Sequence, residues 1–84
     1  MPNQLKLNLL IRRKDRVLFT GPVNAVSSTN ELGPFDVLPY HSNLVATIKK
    51  FVRIYLDNNL TRDFEIPKGV MHVKENKVEV YVGA

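Results

Sequence analysis

The sequence has no cysteine and only four glycines, and no apolar run nears the roughly 20 residues that cross a bilayer as a helix. Without thiols, neither a disulfide framework nor a thiolate metal site can brace the chain. The glycines, at 21, 33, 69 and 83, are too scattered for a loop that cradles phosphate. The opening stretch MPNQLKLNLL lacks the basic segment and long apolar run of a secretory signal, so a soluble, intracellular protein is expected. What is there is 84 residues, expected to form one domain over residues 1–84, with 44% hydrophobic residues to supply the core unaided. A domain this small buries only about 60% of the surface its unfolded chain exposes. Twelve Lys and Arg against eight Asp and Glu give a net charge of +4. That favours acidic surfaces but falls short of the dense clustering of a typical nucleic-acid binder.

Apolar residues recur with a period of two. Leu5, Leu7, Leu9 and Ile11 share one strand face, and Val17, Phe19, Val23 and Ala25 resume the alternation beyond Arg12–Asp15. Gly21 and Pro22 interrupt the second run and predict a bulge or corner there. Asp57, Asn58 and Asn59 separate two further apolar runs and predict a hairpin. A second hairpin is predicted about Glu75 and Asn76, pairing Val70, Met71 and Val73 with Val78, Val80 and Val82. Ser42–Phe51 also fits a capped helix, but its β-branched content and its neighbours favour a strand. Short strands divided by turn signals predict an all-β fold, an antiparallel β-sandwich or flattened barrel of about eight to ten short strands.

No constellation for catalysis emerges. His41 and His72 stand 31 positions apart with no acidic or thiol neighbour at ligand spacing, so neither a metal site nor a cofactor is expected. No serine sits in a nucleophile elbow, and Asp63, Glu65, Glu75 and Glu79 read as surface rather than as an acid–base pair. The chain is expected not to be an enzyme. Two basic groups stand out, RRKDR at Arg12–Arg16 and a looser set at Lys49, Lys50 and Arg53 near Phe51 and Tyr55. A solvated turn explains the first better than a binding patch, and the aromatics beside the second are wanted for the core. The most constrained stretch is GPFDVLPYHSN, Gly33 to Asn43, with two prolines and a histidine.

In order and spacing the chain resembles the N-terminal β-sandwich domain of the epsilon subunit of F-type ATP synthases, called delta in mitochondria. The resemblance rests on the step Phe19, Gly21, Val23, on a loop kept as Gly33, Val37, Leu38, Pro39, His41 and Leu44, and on Gly69, Val70, Met71 and Val73 before the closing strand. Asp36 and Tyr40 replace family glycines, and Ser42 and Asn43 replace an Ala-Pro pair. Tyr40 adds bulk where glycine usually serves a positive φ. Family members typically continue into a helical hairpin, associated with inhibition and in some with ATP binding, so nucleotide binding is not expected of this chain.

The resemblance implies a non-catalytic central-stalk component on the cytoplasmic side of an energy-coupling membrane, peripheral and without direct membrane insertion. It would pack on the gamma subunit, rest on the polar loops of the c-ring and help couple proton-driven rotation to ATP synthesis. By position in the matched loop, Glu31, Gly33, Pro34, Phe35, Asp36 and His41 are expected on the c-ring side, and Arg13 and Lys14 on the gamma side. Stiffness of the proline-bearing loop would reduce the entropy lost on docking. The competing reading is a stand-alone basic β-sandwich module for nucleic acid or protein; a third is an accessory domain that has borrowed the scaffold.

Overall fold

Residues 6–83 are described by a computed structural model, so the predicted place of Leu5 on the first strand lies outside the described residues. Seven strands form: β1 (Leu7–Arg12), β2 (Val17–Val23), β3 (Ala25–Asn30), β4 (Gly33–Val37), β5 (Leu44–Tyr55), β6 (Thr61–Lys74) and β7 (Lys77–Val82). The all-β prediction holds, with seven strands in place of eight to ten, because β5 and β6 run unbroken for 12 and 14 residues. Among the described residues the only helical element is a single 3-10 turn, Asp57–Asn59, and within Ser42–Phe51 the stretch from Leu44 onward is strand.

The strands make one sheet in the order β2-β1-β7-β6-β5-β3-β4, antiparallel throughout except for β1 and β7, which are parallel. This sheet becomes a sandwich by folding across its two longest strands. Between the pairs Ile48–Gly69 and Lys50–Ile66 the ladder slips, and beyond that point β5 and β6 belong to a second layer. Three features make the corner. Pro67 donates no ladder bond. Lys50 has φ 77°. Gly69 has room for no side chain, since a Cβ there would lie 2.8 Å from the Tyr81 carbonyl oxygen. One layer holds β2, β1, β7 and the halves Gly69–Lys74 and Leu44–Ile48; the other holds Thr61–Ile66, Lys50–Tyr55, β3 and β4.

The layers close on Leu7, Leu9, Ile11, Val23, Met71, Val73, Val78 and Val80 from one side and Val26, Val37, Val52, Ile54 and Ile66 from the other. The expected hairpin pairs are present, with Met71 opposite Val80 and Val73 opposite Val78. The predicted corner at Gly21–Pro22 is not; both residues lie within edge strand β2, paired with Leu9 and Asn8. The chain changes layer one step later at Asn24. This shifts the alternation, so that Val26 rather than Ala25 is fully buried. On one open side Phe19 of β2 meets Phe64 of β6 edge-on at 6.1 Å, with the Arg62 guanidinium 4.9 Å from the Phe64 ring centroid.

Candidate functional site

GPFDVLPYHSN proves to be two pieces rather than one loop. Gly33–Val37 forms β4, the outer strand of its layer, and only residues 38–43 are irregular. Asn30 pairs with Gly33, and Asn30 Oδ1 accepts from the Leu32 amide at 2.8 Å, fixing a tight turn at Glu31 and Leu32. At the other end of β4 the His41 amide donates to the Leu38 carbonyl at 3.0 Å. Proline at the second position and Tyr40 at φ 68° in the third match a type II turn. The Tyr40 side chain is left mostly in water.

The residues expected on the c-ring side therefore line one sandwich edge from end to end. Glu31 and Gly33 lie at the corner end, His41 at the far end beside the Glu75–Asn76 turn, and Pro34 and Asp36 between them with exposed side chains. Phe35, also expected on this side, is half-buried. Alternation along β4 turns it inward, where it packs against the core. Asp36 is also engaged, accepting a 2.5 Å hydrogen bond from Ser27 Oγ, which in turn lies 3.1 Å from the Tyr55 hydroxyl. On the same outer face Arg53 makes a two-pronged contact with Asp63, at 2.7 and 3.0 Å. These bonds hold the Asp63 carboxyl below the usual aspartate range and raise the pKa of the Arg53 guanidinium above its ordinary value.

Arg13 and Lys14 occupy the β1–β2 turn, closed by the Arg13 amide donating to the Arg16 carbonyl at 2.8 Å. Because Arg12 stands opposite Tyr81, and the Gly83 amide bonds the Lys68 carbonyl at 2.8 Å, this turn lies at the corner end. The same end carries Glu31, which the sequence reading assigns to a different partner. A shallow groove of about 380 Å³ there is lined by Glu31, Ile48, Lys49, Lys68, Gly69 and Tyr81 among others. The two basic groups stand more than thirty positions apart in the sequence, and the corner joins them. Arg12, Arg13, Lys14, Arg16, Lys49, Lys50 and Lys68 collect at this end against Asp15, Glu31 and Glu65, leaving five basic and five acidic residues elsewhere.

Two further features were missed. The outer face of the β2-side layer bears exposed Val45, Val70 and Tyr81. Cross-strand register could have found them, since Thr47, Val70 and Tyr81 stand in one row and Val45, His72 and Glu79 in the next. At the far end Asp57 accepts from Lys6 Nζ at 2.7 Å and Asn24 Nδ2 at 3.1 Å, and both bonds lower its pKa. Among the described residues no group of three or more His, Cys, Asp or Glu could hold a metal ion, and no helix is long and apolar enough to cross a membrane.

The family model described as "ATP synthase, Delta/Epsilon chain, beta-sandwich domain" matches residues 6–84. The ATP synthase epsilon chain of Clostridium perfringens is 31% identical over 80 residues, 94% of this chain and 60% of the relative. That of Leptospira borgpetersenii serovar Hardjo-bovis is 28% identical over 75 residues, covering 89% and 59%. The chain thus spans about three fifths of the length of these relatives. A chain from the Euglena gracilis mitochondrial ATP synthase, in an OSCP/F1/c-ring structure, superposes with a TM-score of 0.85 at 20% identity, covering 92% of this chain and 50% of that one. One from the central stalk/c-ring structure of the Tetrahymena thermophila mitochondrial ATP synthase gives 0.77 at 12% identity, covering 99% and 67%. At such identities the two structures speak to the fold alone.

Proposed function

Because the chain belongs to the family of the ATP synthase delta/epsilon chain β-sandwich domain, we propose that it is a non-catalytic component of the central stalk of an F-type ATP synthase. In this reading it packs on the gamma subunit and meets the c-ring loops, peripheral to the membrane on the side where ATP is made, and helps pass rotation to the catalytic head. The observation that carries it is the match of the family model across residues 6–84.

The exposed β4 edge from Glu31 to His41 is the c-ring-facing surface in this reading, with Phe35 acting from beneath as packing. Arg13 and Lys14 go with Glu31, since all three share the corner end; the gamma-side expectation for them is set aside. The gamma subunit instead takes the face with Val45, Val70 and Tyr81, whose exposed apolar groups gain most from being covered. The test is co-purification with the gamma subunit encoded in the same genome. Recovery that persists at high salt is the expected result, as an apolar interface is little screened. A folded chain that recovers no gamma subunit overturns the reading.

A further inference from the structure

We propose that the corner end of the sandwich is a docking surface for anionic phospholipid headgroups, with Leu32 as its apolar tip. Seven of the twelve basic side chains collect there against three acidic ones, Asp15, Glu31 and Glu65, so the end carries a net charge of +4 while the rest of the molecule is neutral. Leu32 crowns the β3–β4 turn at this end and is 98% exposed. The Asn30 side-chain bond to its amide fixes that turn, so the leucine is presented rather than folded back. Val17, 48% exposed, follows the Arg13–Arg16 turn of the same end.

A fully exposed leucine among cations suits a surface that is negative outside and oily just beneath. An acidic protein loop or a nucleic-acid backbone would reward the charge and leave the leucine in water. The headgroup layer rewards both, since basic groups are drawn to anionic lipids and an apolar side chain gains by reaching the acyl boundary. The contact is shallow, one side chain deep, and crosses nothing. It stands on charge and exposure alone and does not depend on the stalk reading.

The test is flotation of the full chain with phosphatidylcholine vesicles, with and without about one third phosphatidylglycerol, at low and at about 0.5 M salt. Binding is expected only to the anionic vesicles at low salt. Each basic side chain near such a surface is worth about fivefold in affinity, so Arg13→Gln with Lys14→Gln together should weaken binding about thirtyfold. Leu32→Ser should weaken it about tenfold. These side chains sit in surface turns, and an unchanged melting temperature checks that the variants fold. Equal binding to neutral vesicles, no loss in the Arg13/Lys14 variant, or binding to single-stranded RNA with none to vesicles would each overturn the proposal. Recovery of the gamma subunit reads out separately, and its success or failure leaves the vesicle result intact.

Discussion

The Tyr40 amide donates to Asn76 Oδ1 at 2.7 Å, tying the turn that follows β4 to the turn between β6 and β7, 36 residues later. The Asn76 carbonyl also accepts from the Asn8 amide at 2.8 Å, so one residue joins three segments at the end opposite the corner. Asn76 has φ 62°, which asparagine tolerates and alanine does not. Asn76→Gly keeps that backbone and loses only the side-chain bond, and should cost about 1 kcal/mol. Asn76→Ala adds the strain and should cost about 2 kcal/mol or more. Urea denaturation of both variants measures the difference.

Tyr40 itself has φ 68° with its ring in solvent, where the family pattern carries glycine. Glycine removes strain of about 1 kcal/mol but gives back part of it as added freedom in the unfolded chain. Tyr40→Gly should therefore leave stability within about 0.5 kcal/mol or raise it slightly, although it removes a large aromatic. A loss of 2 kcal/mol or more (roughly, against the same balance) in urea denaturation would mean that the ring is packed.

At the bulge between β3 and β5 the ladder steps from Ser28–Val52 to Thr29–Lys49, leaving Lys50 and Phe51 without a partner in β3. Ser28, fully buried, donates to the Phe51 carbonyl at 2.7 Å. Ser28→Ala should cost about 1 kcal/mol because it removes a hydrogen bond to a partly buried carbonyl. The check is the urea midpoint, with the exposed Ser42→Ala as a control expected to be neutral.

The strands were readable wherever one face is buried, because Val78, Val80 and Val82 or Leu7, Leu9 and Ile11 alternate with polar residues. The turns at Asp57–Asn59 and Glu75–Asn76 were readable from residues that accept positive φ; Asn58, Asn59, Glu75 and Asn76 all have it. The fold line was not. The buried positions of β5, Ile48, Val52 and Ile54, keep one parity through the corner, and only β6 shifts, from Ile66 to Gly69, Met71 and Val73 across Pro67–Lys68, a change that an ordinary turn would also leave in the sequence. The parallel pairing of β1 with β7 is equally silent, joining segments about 70 positions apart through backbone bonds that any residues could make. Hence the shared end of Arg13, Lys14 and Glu31 needed the fold. The division of Gly33–Asn43 into strand and turn was hidden because Pro34 is tolerated in an outer strand.

Gly69 is held by space rather than by dihedral angle. Its modest substitution to alanine would set a methyl 2.8 Å from the Tyr81 carbonyl oxygen, with Ile66 and Ile48 carbons 3.4 and 3.6 Å away. Because the obstacle is the backbone of the neighbouring strand, relief requires opening the corner. Gly69→Ala should cost about 1–3 kcal/mol. It should also loosen the corner end, seen as faster amide exchange at Gly83, whose N–H bonds the Lys68 carbonyl.

Acid should weaken the sandwich through two aspartates at known places. The Lys6 and Asn24 bonds depress the Asp57 pKa, and the Arg53 bonds depress that of Asp63. A carboxylate with a lower pKa folded than unfolded contributes stability that is fully present above its unfolded value, about 3.9, and is lost as pH falls through the folded value. The melting temperature should therefore be level near neutrality and fall below about pH 4. Both carboxylates are open to solvent, so salt should shrink the effect. Asp57→Asn and Asp63→Asn should each lower the melting temperature at pH 7 and flatten its fall in acid, since the variant has less left to lose. If both variants kept the full acid dependence, the loss would have to arise at other carboxylates, and these two pairs would hold nothing together.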